Sequence, residues 1–306
     1  IYFGIAICDV STGDFYASEI KETNNFQALL DEMARYNPAE IIVNDTFFHT
    51  ETEMKKIQER FSAFVTHLPE TSFHEEVENL EKNYTIVNEK QEPVHTLKQH
   101  IFIVVAANAL LDYLNQTQKI KLEHINKIQI YNIHQYMILD MNARRHLELT
   151  EKMRDKSRKG TLLWVLDRTA TSMGGRLLKR WINNPLLNKE EIQNRLLAVQ
   201  ELKENIMLRD ELRECLKKVY DIERLIGKIS FGNANARDMI SLKNSLGQLP
   251  AIKQLLKTTK SSYLQELYQN LDCIEDIYQL VEQAIVEEPP ISVKEGDIIK
   301  LGYNDE

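Results

Sequence analysis

The chain has 306 residues, 43% hydrophobic and 27% charged, an ordinary globular composition for about two domains. Ten Gly and seven Pro exclude collagen-like and low-complexity chains. Three scattered cysteines, Cys8, Cys215 and Cys273, exclude a disulfide framework and point to reduced thiols in an intracellular protein. The net charge of −8 hides three blocks: residues 1–130 carry 11 Lys and Arg against 20 Asp and Glu, residues 141–260 carry 25 against 14, and residues 261–306 carry 2 against 11. Such asymmetry points to a nucleic-acid or acidic partner for the middle block.

The first third alternates strand and helix signals. Ile1–Val10 is a β-branched strand, Ser11-Thr12-Gly13-Asp14 is turn chemistry, and Phe15-Tyr16-Ala17 returns as the second arm of a hairpin. Phe26, Leu29, Leu30 and Met33 predict a helix over Phe26–Tyr36, broken at Pro38. Glu40–Val43 reads as a buried strand, Thr50–Arg60 as a helix and Ala63–Leu68 as a strand. Strand–strand–helix–strand–helix–strand is the order of a mixed sheet with helices on it. Ser72–Glu92 is acidic and irregular, Pro93 opens a helix over Val94–Gln118, and Ile128–Tyr131 is a short strand. The longest apolar run, Ile101–Leu111, is broken by Asn108 and falls short of the roughly 20 residues of a membrane span. No basic-then-apolar leader opens the chain. Its first residue lies inside a strand and Asn304-Asp305-Glu306 carries no stop signal, so a piece of a longer chain is expected.

From Met137 nearly every pattern is helical. Leu147, Thr150 and Met153 start one stripe; Leu162, Leu163, Val165 and Leu166 form another. Thr171 caps a helix carrying Met173, Leu177, Leu178 and Trp181, ended by Pro185. Asn188 with Glu191 three residues on has the capping-box arrangement, opening a helix that turns Ile192, Leu196, Val199 and Leu202 inward. Further helices fall near Met207–Leu216, Ile222–Ile229, Arg237–Leu246, Ile252–Leu256, Tyr263–Leu271 and Ile274–Val286, with a tail at Val293–Tyr303. Trp164 and Trp181 are assigned to the core, and Arg176, Lys179 and Arg180 to a solvated face.

The chemistry-bearing motifs are few. No phosphate-cradling Gly-rich loop ending in Lys-Ser/Thr occurs, and no His-Glu-x-x-His or Cys/His metal spacing. His49, His67, His74, His95, His100, His124, His134 and His146 do not cluster, and the serines lack a Gly-x-Ser-x-Gly elbow. Asp9 at a first strand end, Glu32 on a first helix and Asp45 after a later strand are placed as RNase H-type nucleases place carboxylates for two metal ions. The competing assignments are a turn-starting Asp9 and an ordinary strand-end Asp45. Lys152, Arg154, Lys156, Arg158 and Lys159 put five basic residues in eight positions before Gly160, a candidate phosphate-backbone contact without aromatic interleaving, or else a solvated interhelical loop.

Spacing alone leaves an α/β domain joined to a helical one. The wording goes further. Leu139–Glu151, Gly160–Ile182, Pro185-Leu186-Leu187, Arg195–Val199, Asp221–Leu225 and Asn235–Asp238 resemble the core (lever) domain of the MutS family of DNA mismatch repair proteins. Gly296–Ile299 and Gly302-Tyr303-Asn304-Asp305-Glu306 resemble the approach to its clamp. Asp9–Phe15 and Asn37–Ile41 resemble its connector domain. The Leu68–Leu110 segment matches poorly, and Glu295-Gly296 stands where the family carries Gly-Gly.

The resemblance implies an RNase H-like mixed-sheet connector domain over 1–130, then an all-α core domain over 131–306. The connector is non-catalytic, which turns Asp9 and Asp45 away from nuclease chemistry. It implies that mismatch reading by a Phe wedge and ATP hydrolysis lie in domains outside these residues. The part at hand would then couple DNA binding to the ATPase and offer a surface to MutL, with long helices moving as rigid bodies and bending near Leu122–Gln135. No cofactor is expected in these domains; ATP and Mg are expected for the full-length protein. So are mismatched duplex DNA, a homodimer, and a cytoplasmic, nucleoid-associated location without membrane contact. The alternatives are a metal-dependent nuclease using Asp9 and Asp45, and a MutS paralogue acting in recombination.

Overall fold

The computed structural model describes residues 2–21, 25–94, 96–118 and 122–304. Ile1 of the expected first strand, His95, and Asp305 and Glu306 of the last motif lie outside the described residues. The chain divides into two compact units, one of residues 1–165 and 183–185, the other of 166–182 and 186–306.

The first unit is mixed α/β. Strands β1 (Phe3–Asp9) and β2 (Asp14–Ile20) form the expected hairpin, in register from Phe3 opposite Ile20 to Asp9 opposite Asp14. Helix α1 (Asn25–Tyr36) leads to β3 (Glu40–Asn44), the single turn α2 (Asp45–Phe48), α3 (Glu51–Arg60) and β4 (Phe64–Leu68). Then come α4 (Val77–Asn83), β5 (Thr85–Val87), α5 (Ile101–Gln118), β6 (Lys127–Ile130) and α6 (Met141–His146). The strands form two sheets rather than one. The first has order β1-β2-β6-β5, antiparallel at the hairpin and parallel beyond it; the second is the parallel pair β3-β4. Along β2, Phe15, Ala17 and Ile20 are buried. Ile103, Val104, Ala107, Leu111 and Leu114 are buried along α5, which packs against β1 and β2. A separate cluster of Leu30, Ile57 and Phe61, joined by Ile41 and Val65, seats α1 and α3 on the smaller sheet.

Two sequence expectations fail here, for local reasons. Ser72–Glu92 is not irregular: Val77 and Leu80 give α4 a buried face, and Ile86 and Val87 are buried in β5. A three-residue strand among carboxylates has no alternation long enough to read. The long helix starts at Ile101, not Val94, because Pro93 bridges Val87 and the Val94 N–H donates to the Ile86 carbonyl, holding that stretch extended.

The short helix α7 (Leu162–Leu166) runs from the first unit into the second. The second unit is built of α8 (Ser172–Asn183, its last residue counted with the first unit), α9 (Lys189–Glu204), α10 (Ile206–Leu216) and α11 (Ile222–Ser230), then α12 (Ala236–Leu246), α13 (Leu249–Leu256), α14 (Ser262–Asn270) and α15 (Glu275–Ala284). Its core gathers Ala198, Leu208, Leu212, Val219, Ile252, Leu256 and Leu264, with a second cluster of Leu225, Leu242 and Leu246. The Thr171 hydroxyl accepts from the Gly174 N–H at 3.0 Å, as a helix cap should. Asn188 caps α9 by accepting from the Glu190 and Glu191 N–H groups. A reciprocal capping box forms at Asn235 and Asp238.

The stripe assigned inward on α9 is largely outward. Leu196 is 61% and Val199 62% exposed, while Ala198 is the buried residue. Alanine lets α9 lie close to α10 and α14, and that close approach selects the face. Residues 147–161 are not helical: Glu148 and Lys156 have φ of 45° and 55°. Trp164 is 43% exposed, because α7 is too short to turn more than Leu163 inside. Among the described residues no helix is long and apolar enough to cross a membrane.

Among the described glycines of the first unit the tightest approach is at Gly4, where an added Cβ would stand 1.9 Å from the Phe102 carbonyl oxygen. Backbone cannot step aside as a side chain can. Gly4→Ala is therefore expected to lower stability by about 3 kcal/mol or more, read from urea midpoints. A change below about 0.5 kcal/mol would mean that α5 is not seated on β1 in this way.

Candidate nucleic-acid interface

The five basic residues Lys152, Arg154, Lys156, Arg158 and Lys159 lie on a closed loop between α6 and α7. The Lys152 N–H donates to the Ser157 carbonyl at 2.9 Å, and the Lys156 N–H returns to the Lys152 carbonyl at 3.1 Å. The Asp155 carboxylate accepts from the Ser157 N–H, which holds its pKa below the usual carboxylate range. Gly160 has φ of 94°, and a Cβ there would meet Lys152 Cε at 2.9 Å. Buried Thr161 closes the loop: its hydroxyl donates to the Arg158 carbonyl at 2.8 Å and accepts from the Trp164 N–H at 3.1 Å. Lys152 is half-buried, and Arg154, Lys156, Arg158 and Lys159 are exposed. The loop is thus preformed and turns four cations to solvent, a geometry that suits phosphate oxygens and carries no means of reading a base.

The carboxylate trio does not converge on a shared site. Asp9 closes the hairpin turn, accepting from the Ser11 N–H at 2.9 Å and the Ser11 hydroxyl at 2.7 Å. Asp45 begins α2, with His67 3.9 Å away. Glu32 is buried and committed to Arg35, whose Nη1 donates to both its oxygens at 2.8 and 3.2 Å. The Tyr131 hydroxyl also donates to Glu32, at 2.7 Å. Among the described residues no group of three or more His, Cys, Asp or Glu side chains is placed to hold a metal ion.

The Glu32–Arg35 pair is the centre of a buried polar cluster that sequence reasoning missed. The Arg35 guanidinium lies 4.7 Å from the Tyr136 ring and 5.4 Å from the Tyr131 ring, and its Nε donates to Asn184. Burial works against its charge, but Glu32 outweighs burial and its pKa is raised. Burial lifts the Tyr131 phenol well above its ordinary value. Nearby, Arg144 donates to the Asn183 side chain at 3.2 Å and to its carbonyl at 2.9 Å. Asp31 accepts from the Met141 N–H at 3.2 Å. A cavity of about 50 Å³ beside the cluster has room for a water molecule or two, not for a substrate. The only signal in the sequence was an i,i+3 Glu–Arg pair, indistinguishable there from a surface pair.

Arg176 departs from its assignment to a solvated face, while Lys179 and Arg180 are exposed. Its fork meets both Asp221 oxygens at 2.7 and 2.6 Å, and its Nε meets Glu223 at 3.0 Å. Asp221 is also the cap of α11, accepting from the Arg224 N–H. This tie joins α8 to the start of α11.

Comparison with known proteins matches residues 1–126 to the family described as MutS domain II, and residues 142–304 to MutS domain III. The chain is 48% identical over 310 residues to a protein of Acetivibrio thermocellus named DNA mismatch repair protein MutS, covering 100% of the chain and 35% of that protein. Proteins of the same name from Ruminiclostridium cellulolyticum and Caldanaerobacter subterraneus are 48% and 44% identical, over 100% and 99% of the chain and 34% of each relative. The chain therefore spans about a third of the length of the curated relatives it matches.

The Arg176 tie has a pH signature. Its guanidinium, hydrogen-bonded to Asp221, holds that carboxyl below its ordinary value. A depressed folded pKa contributes stability that is fully present above the unfolded value of about 4 and is lost progressively as pH falls from there through the lower folded value. Arg176→Met is expected to destabilise the protein by about 1–3 kcal/mol at pH 7 and by less at pH 3, where part of the linkage is already lost, measured by urea unfolding at both pH values. An equal loss at both would mean that the pair does not carry the effect.

Proposed function

Because the chain belongs to the MutS family of DNA mismatch repair proteins and carries its domains II and III, we propose that it is the non-catalytic middle of a whole protein that binds mismatched duplex DNA. In that protein these domains couple DNA binding to an ATPase using ATP and Mg, and they offer a surface to MutL. The whole protein acts as a homodimer in the cytoplasm, at the nucleoid. Whole-chain identity to proteins named for mismatch repair is the observation that carries this reading. The geometry agrees with it. The family-like wording does structural work: Thr171, Asn188 and Asn235 cap helices, and Arg176 ties α8 to Asp221. Helices packed through such ties transmit displacement as rigid bodies. Neither a nuclease nor a recombination paralogue is favoured, since Asp9, Glu32 and Asp45 are engaged apart from one another and the relatives are named for mismatch repair.

The direct test is a titration of MutL into this chain without nucleotide or DNA. Saturable binding is expected. Binding by the whole protein but not by this chain would mean that the partner surface is not carried by these domains alone.

The basic loop is proposed to lie along the phosphate backbone. In the whole protein, replacing Arg154, Lys156, Arg158 and Lys159 with Ala is expected to flatten the slope of log affinity against log salt by about 0.9 for each phosphate no longer neutralised. It should weaken matched and mismatched duplexes alike. An unchanged slope would remove the loop from the DNA interface.

A further inference from the structure

The chain passes between its two units at 165–166, 182–183 and 185–186. The first passage is the apolar helix α7. The other two bound a three-residue insert, Asn183, Asn184 and Pro185, that belongs to the first unit although the rest of α8, up to Ile182, belongs to the second. This insert is held by polar atoms of the first unit. Arg35 Nε donates to the Asn184 side chain, Arg144 donates to Asn183 through two nitrogens, and the Met137 N–H donates to the Pro185 carbonyl at 2.8 Å. Behind Arg35 stands Glu32, with Tyr131 on its oxygen. The Arg35 and Glu32 side chains are 6% and 9% exposed.

A buried ion pair is a poor device for stability alone, since apolar residues of similar volume do as well. Its directional bonds do something apolar packing does not: they fix one register and fail outright when it shifts. We propose that Arg35, oriented by Glu32 and seconded by Arg144, is a latch that fixes the end of α8 in the α/β unit, so that a displacement of α8 is passed on to that unit. Arg35, Glu32 and Asn184 are then positioning residues for nucleotide-dependent coupling. The inference rests on the coupling reading above and deepens it.

The test uses the whole protein and three variants. Asn184→Ala removes the acceptor at the insert. Asn184→Asp keeps an acceptor for Arg35. Glu32→Leu with Arg35→Met replaces the pair by apolar side chains and guards against a failure of Asn184→Ala to fold. Affinity for mismatched duplex without nucleotide, basal ATP hydrolysis, and the ATP-driven release of that duplex are measured, with hydrogen exchange at Met137. Asn184→Ala and the double variant are expected to keep nucleotide-free affinity and basal hydrolysis within about twofold, to reduce the ATP-driven change by about tenfold, and to expose the Met137 N–H to exchange. Asn184→Asp is expected to behave as the wild type. An intact ATP response in the double variant overturns the latch and leaves the coupling reading standing. A wild-type protein without any ATP response overturns both.

Discussion

Burying a guanidinium costs several kcal/mol unless its donors are met, and Arg35 is met both by a neighbour on its own helix and by a residue far along the chain. Glu32, one helical turn before it, supplies the counter-charge, and Asn184, 149 residues later, accepts from its Nε. Tyr131 donates to the same carboxylate, and Tyr131 is in turn fixed by its carbonyl, which accepts from buried Ser18 on β2. One charge thereby joins the main sheet, α1, the 131–144 stretch and the insert after α8. Neighbouring Arg144 is held near it at the cost of desolvation, which lowers its pKa. Remove the pair's partners and a charge is left without compensation, so these segments are placed together or not at all.

The helical unit is held by a different logic. Its apolar clusters are modest, and its helix starts are specified by side chains: Thr171 for α8, Asn188 for α9, Asn205 for α10, Asp221 for α11 and Asn235 for α12. Glu201 reaches from α9 to accept from the Lys260 and Ser261 N–H groups at 2.7 Å, gripping the start of α14. Buried Lys243 on α12 meets Glu282 on α15 at 2.6 Å. Capping residues near the ends of helices stiffen each element and leave its outer face unspecified.

The basic loop and the α9 face show how charge and hydrophobicity translate into surface. Four of the five loop cations stay at the surface because the loop turns sharply at Lys156 and Gly160 and makes its backbone bonds within itself. The apolar stripe of α9 stays outward because Ala198, the smallest member of that stretch, makes the close approach. Both surfaces are therefore products of backbone geometry, with composition only supplying what is displayed.

Much of this was legible from local pattern. The β1–β2 hairpin, the α1 stripe and six helices from α10 to α15 obey rules that act within a few residues, and turn, periodicity and cap signals found them to within a few positions. The wording of Gly160–Ile182 and Asp221–Leu225 identified the family. What stayed hidden depended on partners far along the chain. Strand β5 exists because β6 pairs with it about 40 residues later, at Thr85 opposite Lys127 and on to Val87 opposite Gln129, and its own three residues carry too little pattern to reveal it. Glu32 read as a candidate metal ligand because its neighbour Arg35 is indistinguishable in sequence from a surface cation; only burial turned the two into an ion pair. Arg176 read as solvated because Asp221 lies 45 residues on. The sequence alone determined the types of the strongly patterned elements, the charge blocks and the family, since those follow from local covalent and hydropathic pattern. Tertiary structure alone decided which charges are buried against which partners, because that choice is made by packing between segments that no local rule connects.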